Sequence, residues 1–248
     1  MDDQQILTSF ETARHDSSLA ILEGFHAIKH AIRFGAEIDL VVSSNLPELA
    51  RLAESLAPDV GERVESLAID VPPALFEQLA PHPHRTEVIA VAHRPATDLD
   101  LILADSQPRP VVFLERPSHL GNMGAVIRVA AGAGAAGVVT SGEHDPWNPV
   151  AIRGAAGLHY ALPVTQVGEL PDCDRPLLAI HPDGEELSSG SIPDRAILAF
   201  GEEREGLSDD LLHRAETCLR IPMTDGVSSL NLATAVAVTL YTWRLTRL

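Results

Sequence analysis

The sequence predicts an α/β protein of two domains, the second built on a largely parallel sheet. The chain has 248 residues, enough for one large domain or two smaller ones. Short, continuously apolar runs such as PLLAI and AILAF alternate with helical patterns, as is typical of parallel sheets covered on both faces. A stretch rich in Asp, Pro and small polar residues, 96–110, separates the halves. We therefore expect domains at 1–104 and 105–248.

The amino-terminal half predicts alternating helices and short strands. LAILEGFHAIKHAIRFGAEI places apolar residues three and four apart, which predicts an amphipathic helix that ends near Gly35. The run DLVVSS and the run TEVIAVAHRP, stopped by Pro95, predict strands, and PELARLAESLA between them predicts a helix. We interpret 96–110, including its short apolar run LILA, as a linker or domain edge.

The carboxyl-terminal half opens with a buried strand, PVVFLE, followed by a loop, RPSHLGNMG, a helix, AVIRVAAGAG, and a strand, GVVTS. Strands and helices then alternate to the end of the chain. A strand that ends at Ile221 and Pro222 leads through a polar loop to a long terminal helix, LATAVAVTLYTWRLTRL.

Three glycines spell GxGxxG, the pattern of a dinucleotide fold: Gly132, Gly134 and Gly137. A dinucleotide fingerprint follows a strand and opens a helix. These glycines instead close a predicted helix and lead into the strand GVVTS, so we do not predict nicotinamide or flavin binding.

The net charge of −17 weighs against a polyanionic partner, because phosphate binding draws its affinity from Lys and Arg. Lys29 is the one lysine, so arginine, the side chain suited to bidentate phosphate contacts, supplies 17 of the 18 basic residues. Neither half of the chain is basic. An RNA site, if present, must be a local patch.

Composition also bears on compartment and metal binding. The sequence has no uncharged apolar run long enough for a membrane span. Its start, MDDQQILTSFETARHD, is acidic where a secretory signal is basic. We therefore expect a cytoplasmic protein without membrane contact.

The cysteines and histidines do not indicate a metal site. Cys173 and Cys218 lie in no CxxC pair. His82 and His84 flank a proline, with no carboxylate or cysteine to complete a metal set. We therefore predict no metal site.

Three segments place glycine and polar residues where a predicted strand gives way to a loop, the edge at which open parallel sheets bind ligands. They are GNMGAVIRVA at 121–130, FGEEREGLSDD at 200–210, and LRIPMTDGVSSLNLATAVAVTLY at 219–241. Each alone is a weak signal, since glycines after a strand also form ordinary tight turns. The occurrence of all three segments in this order is a far more specific signal of a ligand site than any one of them.

From about residue 108 to the end, the chain resembles the SpoU (TrmH-type) family of RNA 2'-O-ribose methyltransferases, of the SPOUT superfamily. The first family motif, NxGAxxRxA, is met by Asn122, Gly124, Ala125, Arg128 and Ala130. The second, GxExxG, is met by Gly201, Glu203 and Gly206. The third, IPM with a later SLN, is met by Ile221, Pro222 and Met223, then Ser229, Leu230 and Asn231.

The resemblance implies a transfer of a methyl group from S-adenosylmethionine to a ribose hydroxyl of ribosomal or transfer RNA. It implies a trefoil-knotted methyltransferase domain, and a homodimer in which the interface completes the active site. Residues 1–104 resemble, more loosely, the small ribosomal-protein-like domain that binds substrate RNA in many members. The family motifs imply cofactor-binding roles for Gly201, Gly206, Ile221, Met223, Ser229 and Leu230.

The resemblance also implies catalytic roles for Arg128, Asn122, Asn231 and Glu203. A ribose hydroxyl is a poor nucleophile and needs help to lose its proton. Arginine is always protonated, so Arg128 is expected to act with an RNA phosphate, by orientation and charge stabilisation. Asn122 and Asn231 are expected to orient loops or the ribose, and Glu203 to fix the knotted loop by accepting hydrogen bonds.

Two points leave alternatives open. Arg153 falls where family members usually carry a basic residue, but Ala155 stands where a small hydroxyl residue is often found, which puts one substrate contact in doubt. A non-catalytic RNA-binding member of the fold, or a methyltransferase with a small-molecule or protein substrate, as the charge of −17 suggests, also fits the sequence.

Overall fold

The computed structural model describes residues 1–80 and 85–247. The helices are α1 Asp3–His15, α2 Phe25–Arg33, α3 Leu46–Leu56, α4 Gly61–Leu67, α5 Pro73–Leu79, α6 Leu99–Ala104, α7 Leu120–Ala133, α8 Pro149–Gly154, α9 Asp209–Arg214 and α10 Leu232–Leu245. The strands are β1 Leu19–Glu23, β2 Ile38–Ser43, β3 Ala68–Asp70, β4 Val88–His93, β5 Val111–Leu114, β6 Gly137–Thr140, β7 Val164–Gln166, β8 Leu177–Glu186, β9 Ile197–Phe200 and β10 Thr217–Arg220.

The described chain forms two compact units, residues 1–96 with 147–161, and residues 97–146 with 162–248. The predicted domains, 1–104 and 105–248, remain a prediction. No helix in the described part of the chain is long and apolar enough to cross a membrane.

The first unit holds a four-stranded sheet in the order β1-β4-β2-β3. The predicted strands DLVVSS and TEVIAVAHRP are confirmed as β2 and β4, and the helix PELARLAESLA as α3. The prediction of one helix over LAILEGFHAIKHAIRFGAEI was wrong at its start, because 19–23 is strand β1, paired antiparallel with β4. Gly24 separates the two elements with φ +86°, a conformation that favours glycine.

The second unit confirms the α/β class, since its six-stranded sheet, ordered β10-β8-β9-β5-β6-β7, is parallel throughout. Every residue of the adjacent strands β5 and β9 is buried, as the apolar runs PVVFLE and AILAF predict. The glycine pattern closes a helix as predicted, because Gly134 ends α7 in the left-handed region and Gly137 begins β6.

Helix α7 begins at Leu120, so the predicted loop RPSHLGNMG ends earlier than expected and Asn122 lies in the first turn of the helix. Helix α10 lies beside α7 and runs parallel to it. At one end Asn231 hydrogen-bonds Asn122, and at the other a side chain added to Gly132 would approach the Tyr241 hydroxyl to 3.4 Å. The two helices therefore meet along their length.

The stretch 96–110, interpreted as a linker or domain edge, does contain one boundary between the two units, at 96/97, but LDLILA within it forms α6. Its carboxyl end is fixed by Arg175, which is only 3% exposed. The Arg175 guanidinium donates hydrogen bonds to the carbonyl oxygens of Ile102, Leu103, Asp105, Arg109 and Arg195. A helix end whose carbonyls have such partners is stable even in a Pro- and Asp-rich stretch.

Candidate active site

A cavity of about 670 Å³ lies at the carboxyl edge of the parallel sheet in the second unit. Its walls come from the segments that follow β9 and β10, the middle of β8 and the start of α7. Nine of the ten predicted site residues line it: Asn122, Gly201, Glu203, Gly206, Ile221, Met223, Ser229, Leu230 and Asn231. Arg128 does not. The structure thus brings the three sequence motifs together at one place.

Residues that the sequence analysis did not assign also line the cavity. Ile180 and His181 enter from β8, and Phe200 from the end of β9. His119, at the start of α7, lies on the wall that also holds Asn122. The signal for Ile180 and His181 was the apolar run PLLAI that ends directly before His181.

The segment after β9 is a tight hairpin. Glu202 and Gly206 exchange two backbone hydrogen bonds, with N–O distances of 3.1 and 3.0 Å. Gly206 has φ +74°, in the region that favours glycine. A side-chain carbon added to Gly201 would lie 2.0 Å from the Gly206 carbonyl carbon. Gly201 is therefore required by the packing of the hairpin on itself, a reason the sequence did not indicate.

The Glu203 carboxylate ties this hairpin to the segment after β5. Its Oε2 accepts hydrogen bonds from the Ser118 backbone N–H at 3.0 Å and the Ser118 hydroxyl at 2.6 Å. Its Oε1 accepts from the Asn122 side-chain amide at 3.0 Å. A parallel tie is made nearby, where Glu115 accepts from the Ser208 N–H at 2.7 Å. The loops after the adjacent strands β5 and β9 are thereby locked together.

Asn231 extends the network to the third motif. Its side-chain oxygen caps α10 by accepting from the N–H groups of Ala233 and Thr234. Its side-chain amide nitrogen donates to the side-chain oxygen Oδ1 of Asn122 at 3.0 Å. Asn122 thus donates to Glu203 and accepts from Asn231, which uses both ends of its amide.

Hydrogen bonding governs the charge of Glu203. Burial by itself would raise the pKa of this carboxyl group, but the hydrogen bonds from Asn122 and Ser118 outweigh burial and lower the pKa from 4.5 to about 2. Glu203 is therefore a carboxylate at any physiological pH, with the capacity to accept hydrogen bonds and not to donate them.

We expect Glu203→Gln to lower the free energy of unfolding by about 2 kcal/mol at pH 7, since the new amide N–H groups face donors and partial exposure screens the loss. The lowered pKa of Glu203 stabilises the wild type above pH 4.5, and this stabilisation falls away as the pH drops from 4.5 toward 2. Urea unfolding of both proteins from pH 7 to pH 3 should show the difference shrinking. Glu205→Gln, at an exposed neighbouring position, is the control. A difference that stays constant with pH would contradict this assignment.

Arg128 lies on the outer surface of α7, exposed to solvent. Within residues 1–80 and 85–247, no hydrogen bond or ion pair of its guanidinium is found. Residues three and four apart share a helix face, so Arg128 lies in line with Gly121, Ala125 and Gly132. Its charge is available to a partner outside the single chain.

The described residues hold no group of three or more His, Cys, Asp or Glu side chains placed to bind a metal ion. His82 and His84, the histidine pair at which the sequence predicts no metal site, lie outside the described residues.

Comparison with known proteins gives consistent matches. The sequence profile of the SpoU rRNA Methylase family matches residues 109–241, more than half of the chain. The 23S rRNA (uridine(2479)-2'-O)-methyltransferase of Streptomyces viridochromogenes is 29% identical over 235 residues, covering 89% of this chain and 80% of that protein. The 23S rRNA (guanosine(2553)-2'-O)-methyltransferase RlmP of Bacillus subtilis (strain 168) is 27% identical, covering 92% of this chain and 89% of that one.

Solved structures agree with the sequence matches. The crystal structure of the SpoU methyltransferase AviRb from Streptomyces viridochromogenes in complex with the cofactor AdoMet superposes with a TM-score of 0.76. It is 25% identical in sequence, and the match covers 96% of each chain.

Proposed function

Because the chain belongs to the SpoU rRNA methylase family, we propose that it transfers a methyl group from S-adenosylmethionine to a ribose 2'-hydroxyl of ribosomal or transfer RNA. The observation that carries this proposal is the network Ser118–Glu203–Asn122–Asn231, which joins residues of all three motifs at one cavity. The named activity of the two relatives, both 23S rRNA 2'-O-methyltransferases, supports ribosomal RNA in particular.

The cavity suits the cofactor in size and lining. Its volume of about 670 Å³ lies in the range of small-molecule sites, roughly 300–1,000 Å³. Ile221, Met223 and Leu230 give it an apolar wall for a purine, and the backbone of the hairpin from Gly201 to Gly206 offers polar groups nearby. Ser229 is placed to shape the same wall. When bound, S-adenosylmethionine supplies an activated methyl group as a sulfonium.

Arg128 supplies a fixed positive charge to the reaction. An arginine stays protonated, so its role is to hold an RNA phosphate and to stabilise negative charge that develops on the ribose oxygen. Asn122 and Asn231 hold the cavity loops in register, and Glu203 keeps them there. These four residues form the catalytic machinery of the proposal.

We assign to the second unit the trefoil knot of the family. The support is the path of the chain after β10, which is the edge strand in the order β10-β8-β9-β5. The segment 221–231 leaves that edge and nevertheless reaches Asn122, on the helix that follows β5. A chain that returns past two intervening strands in this way is compatible with threading through the hairpin after β9. Residues 1–104 act in this proposal as the RNA-binding domain.

The protein acts as a homodimer through α7 and α10. Val238, Tyr241 and Leu245 are exposed apolar side chains on α10, which packs beside the small residues of α7. A second copy covering this face buries them, and it brings Arg128 of one chain to the partner. The dimer then explains why Arg128 does not line the cavity of its own chain, because each site is completed by the Arg128 of the other copy.

Mixed dimers test this sharing directly. Arg128→Ala and Asn231→Ala are each expected to be inactive. If Arg128 serves the partner's cavity, co-expression of the two gives heterodimers with one intact site, and random pairing restores about a quarter of wild-type activity by mass action. A mixture that stays as inactive as its parents would contradict shared sites.

Binding of RNA despite a charge of −17 requires unneutralised cations in one region. Most arginines of the second unit are ion-paired or buried, but Arg128 and Arg204 are exposed, and no ion pair of theirs appears among the described residues. Arg204 stands on the hairpin at the cavity.

The proposal is tested by incubating the purified protein with labelled S-adenosylmethionine and unmodified ribosomal RNA, transfer RNA or protein extract. We expect label in an RNA fraction, with affinity for that RNA that falls as salt rises. Label only in the protein or small-molecule fraction would refute the RNA substrate, and calorimetry showing no affinity for S-adenosylmethionine would favour a non-catalytic RNA-binding role.

A further inference from the structure

His119 lies on the cavity wall and has no role in the proposal above. It is the residue before α7, with an extended backbone at φ −113° and ψ 108°, and its side chain makes no capping hydrogen bond. The residue is exposed, and among the described residues its ring nitrogens make no hydrogen bond. A histidine that faces a cavity with both nitrogens free is available for proton transfer.

The backbone on both sides of His119 is anchored to one carboxylate. Ser118, the preceding residue, donates to Glu203 through its N–H and its hydroxyl. Asn122, three residues later, donates to the other oxygen of Glu203. The His119 carbonyl is held as well, because it accepts from the Met123 N–H at 3.0 Å. The backbone that carries the imidazole is therefore held at the cavity wall before substrate arrives, which places a proton acceptor where general acid–base catalysis requires one.

The chain leading to His119 is also constrained. Arg116 has φ +47°, which is unusual for a residue with a side chain, and its N–H donates to the buried Ser141 hydroxyl at 3.2 Å. Pro117, which is buried, follows with its fixed ring. Non-glycine residues persist in this conformation only where the surroundings impose it, and they cluster at functional sites.

The other charged and titratable groups on the cavity walls are Glu202, Glu203, Arg204 and Glu205 of the hairpin, His181 of β8 and Arg220 of β10. Glu203 is committed to its three hydrogen bonds, and the arginines stay protonated. His181 accepts a hydrogen bond from the Asp183 N–H at 3.3 Å, so one of its nitrogens is in use. His119 is the histidine on the same wall as the motif residue Asn122.

We propose that His119 is the general base that takes the proton from the ribose 2'-hydroxyl, an inference that rests on the proposed function. In the step, the ribose oxygen forms a bond to the methyl carbon, the bond between sulfur and that carbon breaks, and its electron pair stays on sulfur. The hydroxyl proton passes to a ring nitrogen of His119, which releases it to water after the product leaves. Arg128 stabilises charge in this scheme and moves no proton.

The test is the rate of a single turnover on ribosomal RNA, with saturating S-adenosylmethionine, between pH 5.5 and 9. The wild-type rate should rise with pH to a plateau, as expected of one ionising base. His119→Ala should be slower by about 10²-fold at pH 7 and should show no plateau, because hydroxide then replaces the base. Its affinity for S-adenosylmethionine, measured by calorimetry, should match that of the wild type.

Added imidazole should raise the single-turnover rate of His119→Ala at least tenfold. If His119 had only a structural role, imidazole would not raise this rate. His144→Ala, at an exposed histidine outside the cavity, should keep the wild-type rate and profile. The inference is overturned if His119→Ala retains the wild-type pH profile, if imidazole fails to restore activity, or if His181→Ala loses the profile instead. Absence of methyl transfer by the wild type would refute the proposed function itself.

Discussion

Arg128→Ala should lower the rate of methyl transfer by roughly 10³-fold, because it removes a charge-stabilising donor from the transition state. The affinity for S-adenosylmethionine should change less than twofold, since the proposed role of Arg128 is to hold an RNA phosphate and to stabilise charge on the ribose oxygen, not to bind the cofactor. Turnover on ribosomal RNA and calorimetry with the cofactor measure the two quantities separately.

Arg244→Ala is the matched control for Arg128→Ala. Arg244 is also an exposed arginine of the second unit, but it lies in the last turn of α10, beside Gly134, and belongs to none of the three sequence motifs. Its replacement removes the same charge from the protein and should leave the single-turnover rate within threefold. Wild-type turnover by Arg128→Ala, or equal losses in both variants, would show that Arg128 contributes only to the general charge of the surface.

Gly201→Ala should lower cofactor affinity by roughly 100-fold and the free energy of unfolding by about 3 kcal/mol. The added carbon would lie 2.0 Å from the Gly206 carbonyl carbon and 2.2 Å from the Leu207 nitrogen, so the backbone of the hairpin must move. Backbone displacement of this kind falls at the upper end of overpacking costs. Calorimetry with S-adenosylmethionine and urea unfolding are the measurements.

Gly206→Ala separates the two reasons for glycine in the hairpin. An added carbon at Gly206 meets nothing within 4 Å, but the residue has φ +74°. The expected loss of stability is only about 1 kcal/mol, the cost of the left-handed conformation. If Gly206→Ala proves as damaging as Gly201→Ala, close packing at Gly201 is not what shapes the cavity.

The sequence predicted the second unit well because its signals are local and repeated. Short apolar runs such as PVVFLE and AILAF are typical of covered parallel strands, and both are confirmed as β5 and β9. The predicted site residues of the three motifs proved to line one cavity, with the exception of Arg128. Their individual roles remain predictions that the variants above address.

Other features depend on contacts that no local pattern records. The strand β1 was taken for part of a helix, because LAILE fits a helical spacing until its pairing with β4 is known. The helix α6 depends on Arg175, which lies some 70 residues further along the chain. The partnership of Glu203 with Ser118 and Asn122 likewise joins distant segments, and the sequence indicated only that Glu203 would accept hydrogen bonds.

The most direct test of the central claim is the chemical position of the transferred methyl group. Ribosomal RNA labelled by the protein from S-adenosylmethionine is hydrolysed in alkali, which cleaves RNA only where the ribose 2'-hydroxyl is free. A 2'-O-methyl group blocks that cleavage, so we predict that the label appears in alkali-resistant dinucleotides and is absent from mononucleotides. Label recovered in mononucleotides would place the methyl group on a base and contradict the account.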